Sequence, residues 1–228
     1  MSKLTRSPVR DLSKHVVFSD FHHFVTGDDF TSILTDSGSA ADSDAAGGVL
    51  VILPSDASVV DNDQALLKTT QEVFKVANNK PIVIESGFTY TEANTDDANV
   101  FFGLVDALAA DCIRDDGAGM KTTGEAYTIY KKDGGTKWIC HSHCNGGTAT
   151  ETTTAITAGG AVKQRIEIKP VSATIANVAF YINDEHVATH SQSYASATEM
   201  NLGCGIKNGG DTVVEGLYVD YIYGEQLR

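Results

Sequence analysis

The stretch that decides the fold runs from Lys163 to Arg228, and it contains three segments of alternating polarity. In the first, Lys163-Gln-Arg-Ile-Glu-Ile-Lys169, every second residue shares a face. The second, Val178 to Thr189, is a strand, a polar turn at Asn183-Asp184-Glu185 and a returning strand. The third is Gly216 to Tyr223. Alternation bounded by turn residues predicts half-buried antiparallel strands, and three such segments in this order favour a β-sandwich.

Upstream runs extend the same pattern. Val49-Leu-Val-Ile-Leu53 is an apolar run ended by Pro54, which is typical of a strand covered on both faces. The Asp133-Gly134 pair between two alternating segments predicts a hairpin. Residues 145–160 have the Gly/Thr/Ala-rich composition of a connection. Further strands are expected at Pro81–Tyr90, Val100–Leu108, Ala126–Lys132 and Lys137–His143.

Length and composition favour one all-β domain. A chain of 228 residues with 21 glycines can bury a full core as a single sandwich. Long helical periodicity is missing; the best helix candidate, Asp63 to Lys75, can equally lead into a strand at Val73–Val76. We therefore expect an N-terminal arm at residues 1–15 and a single jelly-roll domain at 16–228.

Charge and apolar content exclude several partners. The formal net charge of −13 repels duplex nucleic acid, so no nucleic-acid partner is expected. No apolar run of about 20 residues occurs, and the basic start is not followed by the apolar stretch of a secretory signal. We therefore expect no membrane partner and synthesis in the cytosol. The four cysteines are expected to be free buried thiols.

The sharpest local cluster of chemically active residues is Cys140-His141-Ser142-His143-Cys144. Cysteine and histidine are good zinc ligands. On an extended strand, however, the two cysteines point to one face and the two histidines to the other, so one ion cannot collect all four. Further ligands from Cys112 or Cys204 stay open as an alternative. The favoured interpretation is structural, with no metal and no cofactor.

Glycoside hydrolysis by a pair of carboxylates needs two acids on one concave face. The adjacent acids of this sequence lie in turn-like contexts, where solvated loop acids are usual. The acidic loops near residues 28–29 and 42–44 are interpreted as solvated loops for the same reason. Binding of Ca²⁺ by these loops stays open as an alternative. No phosphate loop, nucleophile elbow or zinc-binding helix motif occurs. We therefore predict no catalytic residues and no enzymatic activity. The adjacent pairs are Asp96-Asp97, Asp115-Asp116 and Asp184-Glu185.

The strand order resembles a known family. Gln164-Arg-Ile-Glu-Ile, Phe180-Tyr-Ile-Asn-Asp-Glu-His-Val and Leu217-Tyr-Val-Asp-Tyr-Ile are similar to the closing strands of concanavalin A-like (laminarinase/LamG-type) jelly rolls. Val100-Phe-Phe-Gly-Leu and the Tyr127–Trp138 hairpin correspond to the middle strands of that fold. The glycosidase members of the family carry a Glu-x-Asp-x-x-Glu strand, which this sequence lacks. The resemblance implies a concanavalin A-like sandwich without that hydrolytic strand.

A second resemblance lies at the N-terminus. Leu4-Thr-Arg-Ser-Pro-Val-Arg-Asp-Leu, leading into Phe18-Ser-Asp-Phe-His-His-Phe, is similar to the start of bacteriophage capsid decoration (cement) proteins. This resemblance implies a virion structural protein on the capsid exterior that binds the major capsid protein and forms a homotrimer. The basic arm, with Pro8 favouring an extended path, is expected to make the contact. Its capsid-binding residues are expected to be Lys3, Leu4, Arg6, Pro8, Val9 and Arg10.

The alternative function is a carbohydrate-binding, lectin-like module without catalysis. Trp138, Tyr127 or Tyr130 on the concave sheet would then stack on sugar rings. The two hypotheses are compatible, because an exposed phage jelly roll can also contact host-surface glycans.

Overall fold

The computed structural model describes residues 13–35, 37–43, 47–56, 58–210, 213 and 215–228. These residues form strands and no helix. Within them there is therefore no helix long and apolar enough to cross a membrane. The strands are β1 Lys14–Ser19, β2 Phe30–Leu34, β3 Ser39–Ser43, β4 Val49–Leu53, β5 Gln64–Thr69, β6 Ile82–Thr91, β7 Asn99–Val105, β8 Ala126–Lys131, β9 Lys137–His143, β10 Thr150–Thr157, β11 Ala161–Pro170, β12 Ile175–Ile182, β13 Glu185–Ser193, β14 Asn201–Lys207 and β15 Gly216–Leu227.

The strands form two antiparallel sheets that pack face to face as a sandwich. The eight-stranded sheet has the order β13–β12–β11–β6–β15–β4–β3, with β1 paired to the second half of β15. The seven-stranded sheet has the order β10–β9–β8–β7–β14–β5–β2. The predicted all-β sandwich is confirmed.

The segments that predicted the sandwich form the expected strands. The first lies within β11, whose residues alternate between buried and half-exposed along its length. β12 and β13 are joined by the two residues Asn183 and Asp184, whose φ angles are 51° and 65°. A two-residue hairpin of this kind needs positive φ at both positions, which Asn and Asp tolerate better than most side chains. The third segment lies within β15, which extends to Leu227.

Residues 64–69, within the best helix candidate of the sequence, form β5, because neighbouring strands supply its hydrogen bonds on both sides. Two expectations from the sequence are wrong. β4 is not covered on both faces: only Leu50 and Ile52 are buried, whereas Val49, Val51 and Leu53 are half-exposed. The 145–160 connection contains the strand β10, in which β-branched threonines pair with β9.

The core lies between the two sheets and is tied together by aromatic contacts. Trp138 of β9 meets Phe88 and Tyr90 of β6 edge-on, with ring centroids 6.1 and 5.9 Å apart. Edge-on ring pairs place positive ring edges on negative ring faces, which adds about 1 kcal/mol per pair to the burial energy. These contacts therefore hold β9 and β6 together across the sandwich.

A second apolar cluster lies on the outer face of the seven-stranded sheet, beneath the 106–124 segment. Leu108 of this segment packs over Gly203 of β14, where an added Cβ would lie 2.8 Å from the Leu108 side chain. The fully buried Lys207 ammonium holds the same segment through Asp111 Oδ1 at 3.0 Å, Ile113 O at 3.2 Å and the Asp115 carboxylate. The segment therefore covers the middle of this sheet face.

We expect Leu108→Ala to lower the free energy of unfolding by about 2–4 kcal/mol, because it removes a buried side chain and leaves a cavity under the segment. Leu34→Ala, at a position that is 40% exposed, is the control and should cost less than about 1 kcal/mol. Urea denaturation of both variants checks this. Equal losses of unfolding free energy in the two variants would show that the 106–124 segment is not anchored at Leu108.

Candidate functional site

The predicted capsid-binding residues of the arm, Lys3 to Arg10, lie outside the described residues. Their role stays a prediction. Lys14 and His15, at the end of the predicted arm, lie in β1 and pair with β15. The last two residues of the predicted arm therefore belong to the eight-stranded sheet.

The prediction that Trp138, Tyr127 or Tyr130 stacks on a sugar ring is wrong, because none of the three rings is exposed. Trp138 and Tyr127 are buried in the core between the sheets, because they lie at inward-facing positions of β9 and β8. Tyr130 lies on the outer face of the seven-stranded sheet, where it is 1% exposed and packs against the 106–124 segment. Its hydroxyl, rather than its ring face, is the part that meets the polar residues described next.

The segment 140–144 alternates as predicted. Cys140 and Cys144 lie in the core between the sheets, and burial raises the pKa of their thiols to about 12 and about 11. Thiols with such pKa values stay protonated at neutral pH and are poor metal ligands and nucleophiles. The chemistry of this segment therefore lies with His141 and His143, on the outer face.

Glu151 of β10 organises the outer-face residues. Its Oε1 accepts hydrogen bonds from the Tyr130 hydroxyl at 2.8 Å and from His141 Nδ1 at 3.0 Å. The bond from His141 holds the pKa of the Glu151 carboxyl below its usual range, against the opposing effect of burial. Burial and the Glu151 charge raise the pKa of Tyr130. The arrangement is therefore an ionised, partly exposed carboxylate that accepts from two donors.

Three buried polar atoms beside this carboxylate have no hydrogen-bond partner: His141 Nε2, His143 Nδ1 and Thr128 Oγ1. They lie on adjacent strands, since Thr128 is opposite His141 in the register of β8 and β9. Buried polar groups almost always have a partner in the protein, in ordered water or in a ligand. We call this set the polar patch; it comprises Thr128, Tyr130, His141, His143 and Glu151.

The residues of the polar patch were only partly visible in the sequence. His141 and His143 stood out, but Glu151 lay in a stretch interpreted as a connection. The Thr150-Glu-Thr-Thr-Thr154 run, rich in β-branched residues, is the signal that a strand was present. The pairing of Glu151 with His141 across β10 and β9 needed the register of the sheet.

Neither a metal cluster nor a carboxylate pair is formed at this face. Among the described residues, no group of three or more His, Cys, Asp or Glu side chains has the geometry of a metal site. The outward positions of β7 to β10, all of them described, carry Glu151 as their single carboxylate. The arrangement that hydrolysis by two acids needs is therefore not present on these strands.

A separate titratable cluster lies where β15 begins. Glu215 is 1% exposed, and neither of its carboxyl oxygens has a hydrogen-bond partner. Burial, and then the charge of Glu92, raises the pKa of Glu215 to about 8, with smaller contributions in the same direction from Asp97 and Asp133. The buried Lys131 opposes this shift, but its ammonium is bonded to Glu92 at 2.8 Å. Glu215 is therefore a protonated acid at neutral pH.

Comparison with models of known protein families found no match, and comparison with curated proteins also found none. Solved structures match over most of the chain. The endo-1,3-beta-glucanase of Streptomyces sioyaensis is 14% identical with a TM-score of 0.59, over 97% of this chain and 99% of that one. The lectin-like defense protein arcelin-5 of Phaseolus vulgaris is 10% identical with a TM-score of 0.61, over 95% and 100%. The endo-beta-1,4-glucuronan lyase of Trichoderma reesei is 9% identical with a TM-score of 0.62, over 91% and 94%.

The fold is concanavalin A-like. These neighbours confirm that part of the resemblance, and the capsid-decoration part stays a prediction. They also correct one expectation: the prediction that the protein is not an enzyme is overturned, since a glucanase and a lyase have the same fold. At this level of identity the likeness concerns the fold, which carries binding proteins and enzymes alike.

We expect Glu215 to make stability depend on pH. Its carboxyl has a pKa of about 8 when folded, against an ordinary value near 4.5, so the native state keeps a proton that the unfolded state has lost. Stability should therefore fall by a few kcal/mol as pH rises from about 5 to about 8, and then level off.

Glu215→Gln should remove most of this fall, because the amide has no proton to lose. The exposed Glu199→Gln is the control and should keep the wild-type slope. Urea midpoints measured across this pH range check both variants. An unchanged slope in Glu215→Gln would show that other groups are responsible.

Proposed function

We propose that this protein binds carbohydrate and that the polar patch is its binding site. The observation that carries the proposal is the set of three buried, unpartnered polar atoms beside the ionised Glu151 carboxylate. The likeness to arcelin-5, a lectin-like defense protein, agrees with it.

The hydrogen bonds already made in the patch define what the ligand must offer. His141 Nδ1 faces a carboxylate and therefore carries a proton, so that in the neutral ring Nε2 is an acceptor. His143 Nε2 lies 3.2 Å from the carbonyl oxygen of Gly147, so it donates and leaves Nδ1 as an acceptor. Two acceptors, on rings whose centroids are 6.5 Å apart, thus need donors from outside the protein.

A saccharide meets this requirement. Each sugar hydroxyl both donates and accepts, so it can donate to a histidine nitrogen and accept from the Thr128 hydroxyl. Because Thr128 and His141 are fully buried in this structure, such contact requires the side chains above them to move aside on binding. The half-exposed Glu151 carboxylate can accept from a further hydroxyl, and bonds to a charged acceptor are worth about 1.5–3 kcal/mol each. Several hydroxyl groups on one ring therefore match the donors and acceptors of the patch.

Thr128→Val is the sharpest test, because it removes one hydroxyl and keeps the shape of the side chain. We expect glycan affinity to fall about tenfold, the loss of one hydrogen bond, while stability is unchanged or higher. Thr152→Val is the control: its hydroxyl bonds His190 Nε2 at 3.0 Å, so its loss should lower stability and leave binding intact.

Calorimetry with a ligand selected from a glycan array measures both variants, and Glu151→Gln should weaken binding as well. Absence of glycan binding by the wild-type protein would refute the function. Binding that is unaffected by both Thr128→Val and Glu151→Gln would refute the site.

Attachment to an assembled capsid is the second candidate function. One feature favours a protein contact near the arm: Phe18 and Val16 of β1 are 56% and 40% exposed. β1 pairs with β15 on one side, and no described strand pairs with its other side. An edge strand with exposed apolar side chains is suited to a protein partner. The major capsid protein, the homotrimer and the position on the virion exterior stay predictions.

We expect a variant lacking residues 1–12 to fold, because β1 begins at Lys14, and to lose co-sedimentation with capsids. Light scattering gives the mass of both forms, and three chain masses are expected for the full chain. Undiminished capsid binding by the truncated variant would exclude the arm as the contact.

A further inference from the structure

A groove of about 510 Å³ crosses the outer face of the eight-stranded sheet, on the side of the sandwich opposite the polar patch. It runs across the four neighbouring strands β4, β15, β6 and β11. Three spacings between adjacent strands make the groove about 14 Å long. We call it the tyrosine groove; it is lined by Tyr218, Asp220, Tyr221, Gly87, Ala161 and Lys163, among others.

The groove exists because small residues lie between large ones in the register of the sheet. In one row Tyr218 of β15 is opposite Thr89 of β6, which is opposite Ala161 of β11. In the next row Tyr221 is opposite Gly87. A Cβ on Gly87 would lie 2.7 Å from the Tyr221 ring, so only glycine lets this ring lie across β6. Thr89 and Ala161 therefore form a floor beside the Tyr218 ring and the Tyr221 ring, which covers Gly87.

The tyrosine ring is held in place by its surroundings. The Tyr221 hydroxyl donates to Glu85 Oε1 at 2.6 Å, and its backbone carbonyl accepts from Ser86 Oγ at 2.8 Å. The register of β15 against β6 shifts between Val219 and Tyr221, and this bulge places Asp220 at the exposed rim of the groove. A fixed ring beside an exposed carboxylate is a preorganised combination for ligand binding.

Charge at the rim selects against an anionic ligand. The Lys163 ammonium, which belongs to the groove lining, is paired with Asp184 Oδ2 at 2.5 Å. Asp220 adds a negative charge, and the whole chain has a formal charge of −13. A polyanionic chain would therefore be repelled, whereas an uncharged, hydroxyl-rich chain would not.

We propose that the tyrosine groove is a second carbohydrate site, which takes a short stretch of a neutral, linear polysaccharide. The apolar faces of the sugar rings pack on Tyr218 and Tyr221, and hydroxyl groups donate to Asp220. The inference rests on the proposed carbohydrate-binding function and adds a second site and a glycan class. Two sites on opposite faces allow one chain to bridge two glycan strands, which strengthens attachment by avidity.

The test is calorimetry with a neutral β-glucan hexasaccharide and with a glucuronic acid hexasaccharide as its anionic counterpart. Ala161→Arg fills the groove from an exposed position without removing a packed side chain. Ala179→Arg places the same side chain on the same sheet face outside the groove, and it is the control. The wild-type protein and the control should bind two neutral ligands per chain. Ala161→Arg should bind one, and Thr128→Val should then weaken that remaining site.

Each other outcome has a distinct meaning. Binding of one ligand, unaffected by Ala161→Arg but weakened by Thr128→Val, would refute the groove and leave the proposed function standing. Absence of any binding would refute both. Tighter binding of the anionic hexasaccharide would refute the glycan class. A lower solution mass of Ala161→Arg would show that a second copy of the chain occupies the groove.

Discussion

The two-residue period of the β-strand is the constraint on which the rest of the structure depends. It sends Cys140 and Cys144 into the core and His141 and His143 outward from the same strand. A shift of one residue in β9 would exchange these roles and bury the histidines among apolar side chains. Trp138, held between Phe88 and Tyr90 across the sandwich, opposes such a shift because its ring has no comparable place on the outer face.

The outer face of the seven-stranded sheet is divided between an apolar and a polar part. The 106–124 segment covers the middle of the face, anchored by Leu108 over Gly203 and by the buried Lys207 ammonium. The polar patch lies beside it, and Tyr130 belongs to both parts through its ring and its hydroxyl. Buried acceptors without a hydrogen-bond partner lower the stability of the fold. Such departures from good packing are expected at functional sites.

The opposite face of the sandwich is built differently. The tyrosine groove depends on small residues and a bulge rather than on buried polar atoms, so it offers the proposed ligand aromatic surfaces and a single exposed carboxylate. A concanavalin A-like fold does not decide between binding and catalysis, since both occur on it. What distinguishes this chain is the chemistry of its two faces, which in both cases is suited to hydroxyl-rich molecules.

Local sequence patterns were sufficient for the sandwich, for its closing strands and for the sides taken by residues 140–144, because alternation and turn chemistry act over a few residues. They failed for β5 and β10, whose strand character comes from their neighbours. Pairing between distant strands decided the rest: Glu151 with His141, Lys207 with Asp111, and the Tyr221 ring over Gly87. Such partners are brought together by sheet register, which a one-dimensional pattern does not contain.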